Sequence, residues 1–277
     1  MRLRKALDNC YTLPMLNPLR WIRRRRLIRR PFPPAWLDIL EARVPFVRSL
    51  SGPLRNRFLE CVTLFVHEKT FTPAGGMAIT DEVRVVIAAC AVRLILHLDL
   101  SYYDRLSEII VYPYIYKHPE DEAAILGEAD NWGTVVLSWP TVLADLAHPG
   151  QGHDTSLHEF AHILDRMGNG AFDGTPRLTS RAAYRPWAQI MSRHFLGLRS
   201  GGTEDRSVLR TYGATNEAEF FAVATEAYFE NARLMQQRLP DLYGELRAFY
   251  GGDPAVEVEG SPQGACEDQC PEGPHGI

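Results

Sequence analysis

The sequence lacks any apolar run long enough to cross a membrane. No window of this 277-residue chain approaches the roughly 18 consecutive apolar residues that mark a transmembrane helix. The N-terminal stretch MRLRKALDNCYTLPMLNPLRWIRRRR also lacks the apolar segment of about 7 to 15 residues that a secretory signal contains. We therefore expect a globular protein without a transmembrane segment, located in the cytoplasm.

Cysteine is scarce and is not arranged for disulfide bonding. The chain has five cysteines, an odd number that is widely scattered, and two of them occupy apolar positions of predicted helices. The pair Cys266 and Cys270 has no second pair that would complete a metal or redox site. This usage argues against a disulfide framework and fits a reducing compartment.

Charge is unevenly distributed along the chain. Residues 1–30 contain ten Lys or Arg and one acid, Asp8, although the whole chain has a net charge of -4. The run WIRRRRLIRR could bind nucleic acid or an acidic membrane surface. We favour a simpler interpretation, a solvated basic arm whose apolar residues pack on the body and which does not bind nucleic acid. Those apolar residues are Trp21, Ile22, Leu27 and Ile28.

The C-terminal residues 254–277 lack bases and are nearly free of large apolar side chains. They are rich in Gly, Pro and acids, a composition that cannot bury enough apolar surface to fold. We expect a disordered acidic tail there.

The middle of the chain predicts an α+β protein, predominantly helical with a small sheet. Segments 35–50, 54–68 and TDEVRVVIAACAVRLILHLDL have helical apolar spacing, and Thr80 is suited to cap the third. SEIIVYP and TVVLSW are short and β-branched, as strands are. We therefore divide the chain into a basic arm, a helical part, a part that combines strands and helices, and a tail. Their bounds are 1–30, 31–105, 106–253 and 254–277.

The stretch SLHEFAHILD contains the order H-E-x-x-H. Helical spacing of four places His158 and His162 on one face, where both imidazoles can bind one zinc ion. Glu159 lies one residue further round, where it can reach a water on that ion and act as a general base. The motif H-E-x-x-H fixes only three positions, so it is moderate evidence for a zinc site. Two histidines one turn apart can also be ordinary core or surface groups.

A third ligand would decide between these interpretations, and two acids are candidates. Asp165 lies on the same helix face and is better placed to hydrogen-bond an imidazole N–H. Glu219, in the first turn of the helix predicted after Asn216, is the stronger candidate. The pattern N-x-x-E is also a capping box, which would need Glu219 only to reach the Asn216 amide. Spacing alone does not decide between these roles of Glu219. If Glu219 is a ligand, we expect its loss to weaken zinc binding far more than the loss of Glu226, two turns further on.

Several ordered blocks resemble the Mlc titration factor A family, zinc metallopeptidases of bacterial cytoplasm, and more distantly the catalytic domain of anthrax lethal factor. The similarity covers roughly residues 20–254 and includes the blocks PPAWLDIL, KTFTP, AITDEVRVVIAACAVRL, IIVYP, GTVVLSW, HEFAHILD, NGAFDGTP, YGATNEAEFFAVATEAYF and FYGGDP. The acidic tail is not part of the family pattern.

The resemblance implies a site and an activity. It implies His158, His162 and Glu219 as ligands of one Zn²⁺, Glu159 as the catalytic base, and Tyr212 as a residue that assists catalysis. It also implies a gluzincin-like peptidase with a peptide substrate, aminopeptidase-like in its small substrates, and a transcriptional repressor of Mlc type as a partner. The alternative is a non-catalytic zinc protein that sequesters such a repressor, although sequestration needs neither Glu159 nor Tyr212.

Overall fold

Helices dominate the fold, and one small parallel sheet lies among them. The computed structural model describes residues 18–114, 133–168 and 170–257, which contain twelve α-helices and three strands. This architecture confirms the predominantly helical α+β class. The predictions for residues 1–17 of the basic arm and for residues 258–277 of the tail lie outside the described residues.

The N-terminal half is helical up to the sheet. The helix start predicted at residue 35 is confirmed to within one residue, because Pro33 precedes the second helix and Pro34 opens it. The single helix predicted for 35–50 is wrong, since Pro45 ends hydrogen bonding there and a 3₁₀ turn, Pro45–Ser49, follows. The helices of this half are α1 (Pro18–Ile28), α2 (Pro34–Arg43), α3 (Gly52–Glu68) and α4 (Asp81–Leu94).

Helix α4 forms the centre of the core. Thr80 caps it as predicted, with its hydroxyl accepting a hydrogen bond from the Val83 amide at 3.3 Å. Burial extends around the whole helix and includes Val85, Ala88 and Val92 outside the predicted apolar face. Cys61 and Cys90 are free thiols inside this core, as their apolar helical positions predict.

Three strands pair in the order β1-β2-β3, all parallel: β1 (Thr70–Pro73), β2 (Glu108–Tyr112) and β3 (Thr134–Ser138). In this register Thr70 faces Glu108, and Glu108 faces Thr134. Strands β2 and β3 match the two predicted strands. Strand β1 was not predicted and corrects the purely helical description of residues 31–105.

The first two helices of the C-terminal half contact the last strand. Helix α6 (Thr155–Arg166) contacts β3, α4 and the later helix α9 (Glu217–Glu230), so it lies between the sheet and the helical body. A 3₁₀ turn, Thr211–Ala214, leads into α9. The helices of this half are α5 (Trp139–Ala147), α6 (Thr155–Arg166), α7 (Tyr184–Arg199), α8 (Thr203–Arg206), α9 (Glu217–Glu230), α10 (Ala232–Arg238), α11 (Pro240–Tyr250) and α12 (Pro254–Glu257).

The ordered body extends past the boundary predicted for the tail. Residues 254–257 form α12, and Ala255 is 5% exposed, with its amide donating to the Tyr243 hydroxyl at 3.2 Å. The start of the disordered tail at residue 254 is therefore wrong by these four residues. Within the described ranges, no helix combines the length and the apolar character needed to span a bilayer.

Candidate metal centre

The H-E-x-x-H stretch lies on α6, as predicted. The Asp154 carboxylate caps this helix by accepting a hydrogen bond from the Leu157 amide at 3.0 Å. The apolar residues Phe160 and Leu164 face the core and are fully buried. The polar side of the same helix therefore faces α9, the helix that begins after Asn216.

Two imidazoles and one carboxylate converge between α6 and α9. His158 Nε2 lies 2.9 Å from Glu219 Oε2 and 3.2 Å from His162 Nε2. The third edge, from His162 Nε2 to Glu219 Oε2, measures 3.5 Å. Among the described residues, His158, His162 and Glu219 form a group of three side chains whose donor atoms lie close enough together to hold one ion.

Glu219 does not form the capping box that its spacing also allowed. The Asn216 side chain caps α9 by accepting from the Glu219 amide at 2.9 Å. The Glu219 carboxylate instead faces the two imidazoles, and burial would raise its pKa, but the histidines hold it well below its usual range. The Glu219 amide thus takes part in the helix cap, while the Glu219 carboxylate lies in the candidate metal site.

The other ring nitrogen of His158 contacts Glu226, an acid to which the sequence assigned no role in the site. His158 Nδ1 lies 2.7 Å from Glu226 Oε1, and the Glu226 side chain is fully buried. A carboxylate only accepts hydrogen bonds, so Nδ1 carries the proton and Nε2 points at the Glu219 carboxylate. The one sign of Glu226 in the sequence was an acid within the otherwise apolar run FFAVATEAYF.

Glu226 is held in place by several donors besides His158. It accepts from the Asp154 amide at 3.0 Å, and it contacts His153 Nδ1 at 2.7 Å and the Arg210 guanidinium. Burial would raise its pKa, but these partners lower it to about 2, so Glu226 is ionised. The carboxylate therefore fixes both the tautomer and the orientation of the His158 ring.

The donor set fits a small divalent metal ion. A tetrahedral site with bonds of about 2.0 to 2.1 Å has ligand–ligand edges of about 3.3 Å, close to the edges of this triangle. Burial would lower the pKa of His158, but Glu219 and Glu226 raise it to about 10. Without a metal ion the His158 ring therefore keeps protons on both nitrogens, and a bound ion would take the place of the Nε2 proton.

Glu159 and Tyr212 border this triangle. Glu159 is half-buried, and its charge raises the pKa of both His158 and Tyr212, which places it electrostatically close to each. The Tyr212 ring lies 5.9 Å from the His158 ring between centroids and is 39% exposed. Burial and the charges of Glu219 and Glu159 raise the pKa of Tyr212 to about 12, so its hydroxyl keeps its proton at neutral pH.

Asp165 does not take the role that its position suggested. Its Oδ2 accepts from the Gly174 amide at 2.9 Å, which anchors the loop after α6. Asp165 Oδ1 and His162 Nδ1 are both buried, and neither has a hydrogen-bond partner among the described residues. The prediction that Asp165 accepts a hydrogen bond from an imidazole is therefore wrong. Glu226 is the carboxylate that accepts such a bond, from His158 Nδ1.

The loop after α6 closes one side of the site. Gly174 has φ +72°, and a Cβ there would lie 2.5 Å from the Glu217 carbonyl oxygen, so this position requires glycine. On the same loop, the Phe172 ring approaches the His162 ring edge-on at 6.2 Å. The loop therefore packs against the start of α9 and against one of the two imidazoles.

Comparison with known proteins agrees with this geometry. A family model described as glucose-regulated metallo-peptidase M90 matches residues 19–251. An uncharacterized protein of Synechocystis is 38% identical over 247 residues, which cover 84% of this chain and 90% of that protein. Mlc titration factor A of Yersinia pestis is 25% identical over 257 residues, covering 87% of this chain and 92% of its own length. The chain belongs to the glucose-regulated metallo-peptidase M90 family.

Proposed function

We propose that this protein is a zinc-dependent peptidase that hydrolyses peptide bonds in the cytoplasm. The observation that carries the proposal is the convergence of His158, His162 and Glu219 within 4.8 Å of one another, with Glu159 beside them. Two imidazoles and a glutamate are the ligand set of catalytic zinc sites that keep one position open. Membership of a metallo-peptidase family supports the same conclusion.

His158, His162 and Glu219 would hold the zinc, which supplies a water of lowered pKa, near 7, and polarises the scissile carbonyl. Glu159 accepts a proton from the attacking water and passes it to the leaving amine. Tyr212, still protonated at neutral pH, donates a hydrogen bond to the developing oxyanion. Glu226 keeps His158 Nε2 directed at the site.

The sheet offers a surface for an extended peptide. Strand β3 lies at one end of the three described strands and contacts α6. A peptide that paired with this edge through main-chain hydrogen bonds would pass along the helix that carries Glu159. We propose small, unblocked peptides as substrates, an aminopeptidase preference.

A relative named Mlc titration factor A favours a second function, binding to a transcriptional repressor of Mlc type. Repressor binding could accompany hydrolysis or replace it. The variant Glu159→Gln distinguishes hydrolysis from repressor binding, because it removes the general base but keeps the size of the side chain. Loss of hydrolysis with intact repressor binding would show that both functions exist and are independent.

Metal analysis combined with a peptidase assay tests the main proposal. The purified chain should contain one zinc per molecule, and amino-acid anilides with a free amino group should be cleaved faster than N-blocked ones. Chelation should abolish cleavage, and added zinc should restore it. A metal-free protein, or cleavage that survives complete chelation, would refute zinc catalysis.

A further inference from the structure

Helix α1 has an inner face that is fixed to the body by matched charges. Arg20 and Arg24 donate to the Glu68 carboxylate at 2.9 and 2.7 Å, and Arg20 also contacts Asp104 at 2.6 Å. Leu27 and Ile28 pack against the core on the same side, as the sequence predicts. These contacts hold α1 on α3 and neutralise the two inner arginines.

The outer face of α1 keeps its positive charge. The helix sequence PLRWIRRRRLI contains no acid, three of its arginines lie outside the inner cluster, and two more arginines follow directly after the helix. None of these five forms an ion pair with a residue of the described ranges, and Arg25 lies over the Trp21 ring at 4.6 Å instead. Arg23 donates only to the His67 carbonyl, at 3.2 Å. The five are Arg23, Arg25, Arg26, Arg29 and Arg30.

Two apolar side chains project from the same outer face. Leu19 is 77% exposed and Ile22 is 40% exposed, so the predicted packing of Ile22 on the body is wrong. A spacing of three residues places them on one side of the helix, and Arg23 and Arg26 follow them by four residues each. The outer face therefore combines exposed apolar groups with arginines that form no ion pair within residues 18–114, 133–168 and 170–257.

We propose that this outer face docks on an anionic lipid surface. Negative headgroups would pair with the arginines, and Leu19 and Ile22 would enter the boundary between headgroups and acyl chains. A nucleic acid would satisfy the arginines through its phosphates but would offer Leu19 and Ile22 no apolar environment. The surface is separate from the metal centre, so this proposal does not depend on peptidase activity.

Vesicle sedimentation of the full chain tests the docking. The protein should pellet with vesicles of phosphatidylglycerol and phosphatidylcholine and stay in solution with phosphatidylcholine alone. Binding should weaken with added salt, because exposed charges are screened. Each exposed arginine contributes about a fivefold factor, so the triple change Arg23→Gln, Arg26→Gln and Arg30→Gln should weaken binding about 10²-fold.

Matched variants separate charge from apolar insertion. Lysine at the same three positions keeps the charge and should keep nearly all binding. The double change Leu19→Ser and Ile22→Ser should weaken binding by about tenfold, with an unchanged melting temperature because both side chains are exposed. Equal pelleting with both vesicle types, or no effect of the triple change, would overturn the proposal. So would a DNA duplex that binds as tightly as the anionic vesicles, with the serine variant unaffected on both, because that result assigns the face to nucleic acid.

Discussion

Two histidines of this protein each lie between two carboxylates, and only one of these clusters resembles a metal centre. His158 contacts Glu226 at 2.7 Å and Glu219 at 2.9 Å, while His194 contacts Asp205 at 2.6 Å and Asp241 at 3.1 Å. The His194 cluster joins helices α7, α8 and α11. A histidine with a carboxylate on each ring nitrogen is therefore not in itself evidence of metal binding.

The difference lies in the neighbour of each histidine. Each cluster has an arginine on one of its carboxylates, Arg210 on Glu226 and Arg193 on Asp241. A second imidazole, that of His162, lies beside His158, with its Nε2 at 3.2 Å from His158 Nε2. A guanidinium has no lone pair to donate, so the arginines add no metal ligand, and the second imidazole is what gives the first cluster three converging donors. The first cluster suits a cation, and the second suits a structural role between helices.

Among the variants that test the difference between the His158 and His194 clusters, the loss of Glu219 should have the largest effect on zinc content. We predict that Glu219→Ala loses stoichiometric zinc and with it all hydrolysis, because one of three protein ligands is gone. The matched control is Glu217→Ala, an exposed acid in the first turn of the same helix, which should keep both. Zinc content measured by atomic absorption decides, and equal zinc in the two variants would remove Glu219 from the site.

The second prediction concerns the base. Glu159→Gln keeps the size of the side chain but cannot accept a proton, so hydrolysis should fall by about 10² to 10⁴-fold with unchanged zinc content. Asp241→Asn in the His194 cluster should leave both the rate and the zinc content unchanged. Rates from a continuous peptidase assay decide, and retained turnover in Glu159→Gln would exclude Glu159 as the base.

The third prediction tests Tyr212. Tyr212→Phe should lower kcat by about 10² to 10³-fold while zinc content and KM stay nearly constant, since a donor to the transition state is lost and the ring remains. Tyr184, an equally exposed tyrosine at 38% on α7, provides the control Tyr184→Phe. Full activity of Tyr212→Phe would assign the tyrosine a packing role and require another oxyanion donor.

The smallest effect should follow from weakening the support of His158. Glu226→Gln should reduce zinc affinity by about 10 to 100-fold, as expected for a partner that orients a ligand. The parallel change Asp205→Asn removes a charge from the partner of His194 Nδ1 and should leave zinc affinity unchanged. Competition with a fluorescent chelator measures both, and equal affinities in the two variants would contradict the difference between the clusters.

Local patterns of the sequence predicted much of the fold. The caps Thr80 and Asn216 and the strands β2 and β3 all depend on residues near in sequence. The family resemblance is confirmed, and the predicted ligands do come together in space. Their roles as ligands, base and oxyanion donor stay predictions that the variants above test.

Features that depend on distant partners were not predictable in the same way. Strand β1 has four residues, ends in proline, and is a strand because it pairs with β2, which begins at Glu108. Glu226 acquires its role only because α9 lies against α6 and brings it to His158 Nδ1. Asp165 was misjudged for the opposite reason, because its sequence position allowed a contact that the loop at Gly174 takes instead.

The seven-residue interval between Glu219 and Glu226 makes α9 intolerant of changes in length. Seven residues are nearly two full helical turns, so both acids project from the same side of the helix, about 10 Å apart along its axis. Glu219 contacts Nε2 of the His158 ring and Glu226 contacts Nδ1. A single inserted or deleted residue between them would rotate one acid by about 100° relative to the other. A change in the length of this interval would therefore remove either Glu219 from the imidazoles or Glu226 from His158 Nδ1, whereas a substitution that keeps the length leaves both acids on the same side of the helix.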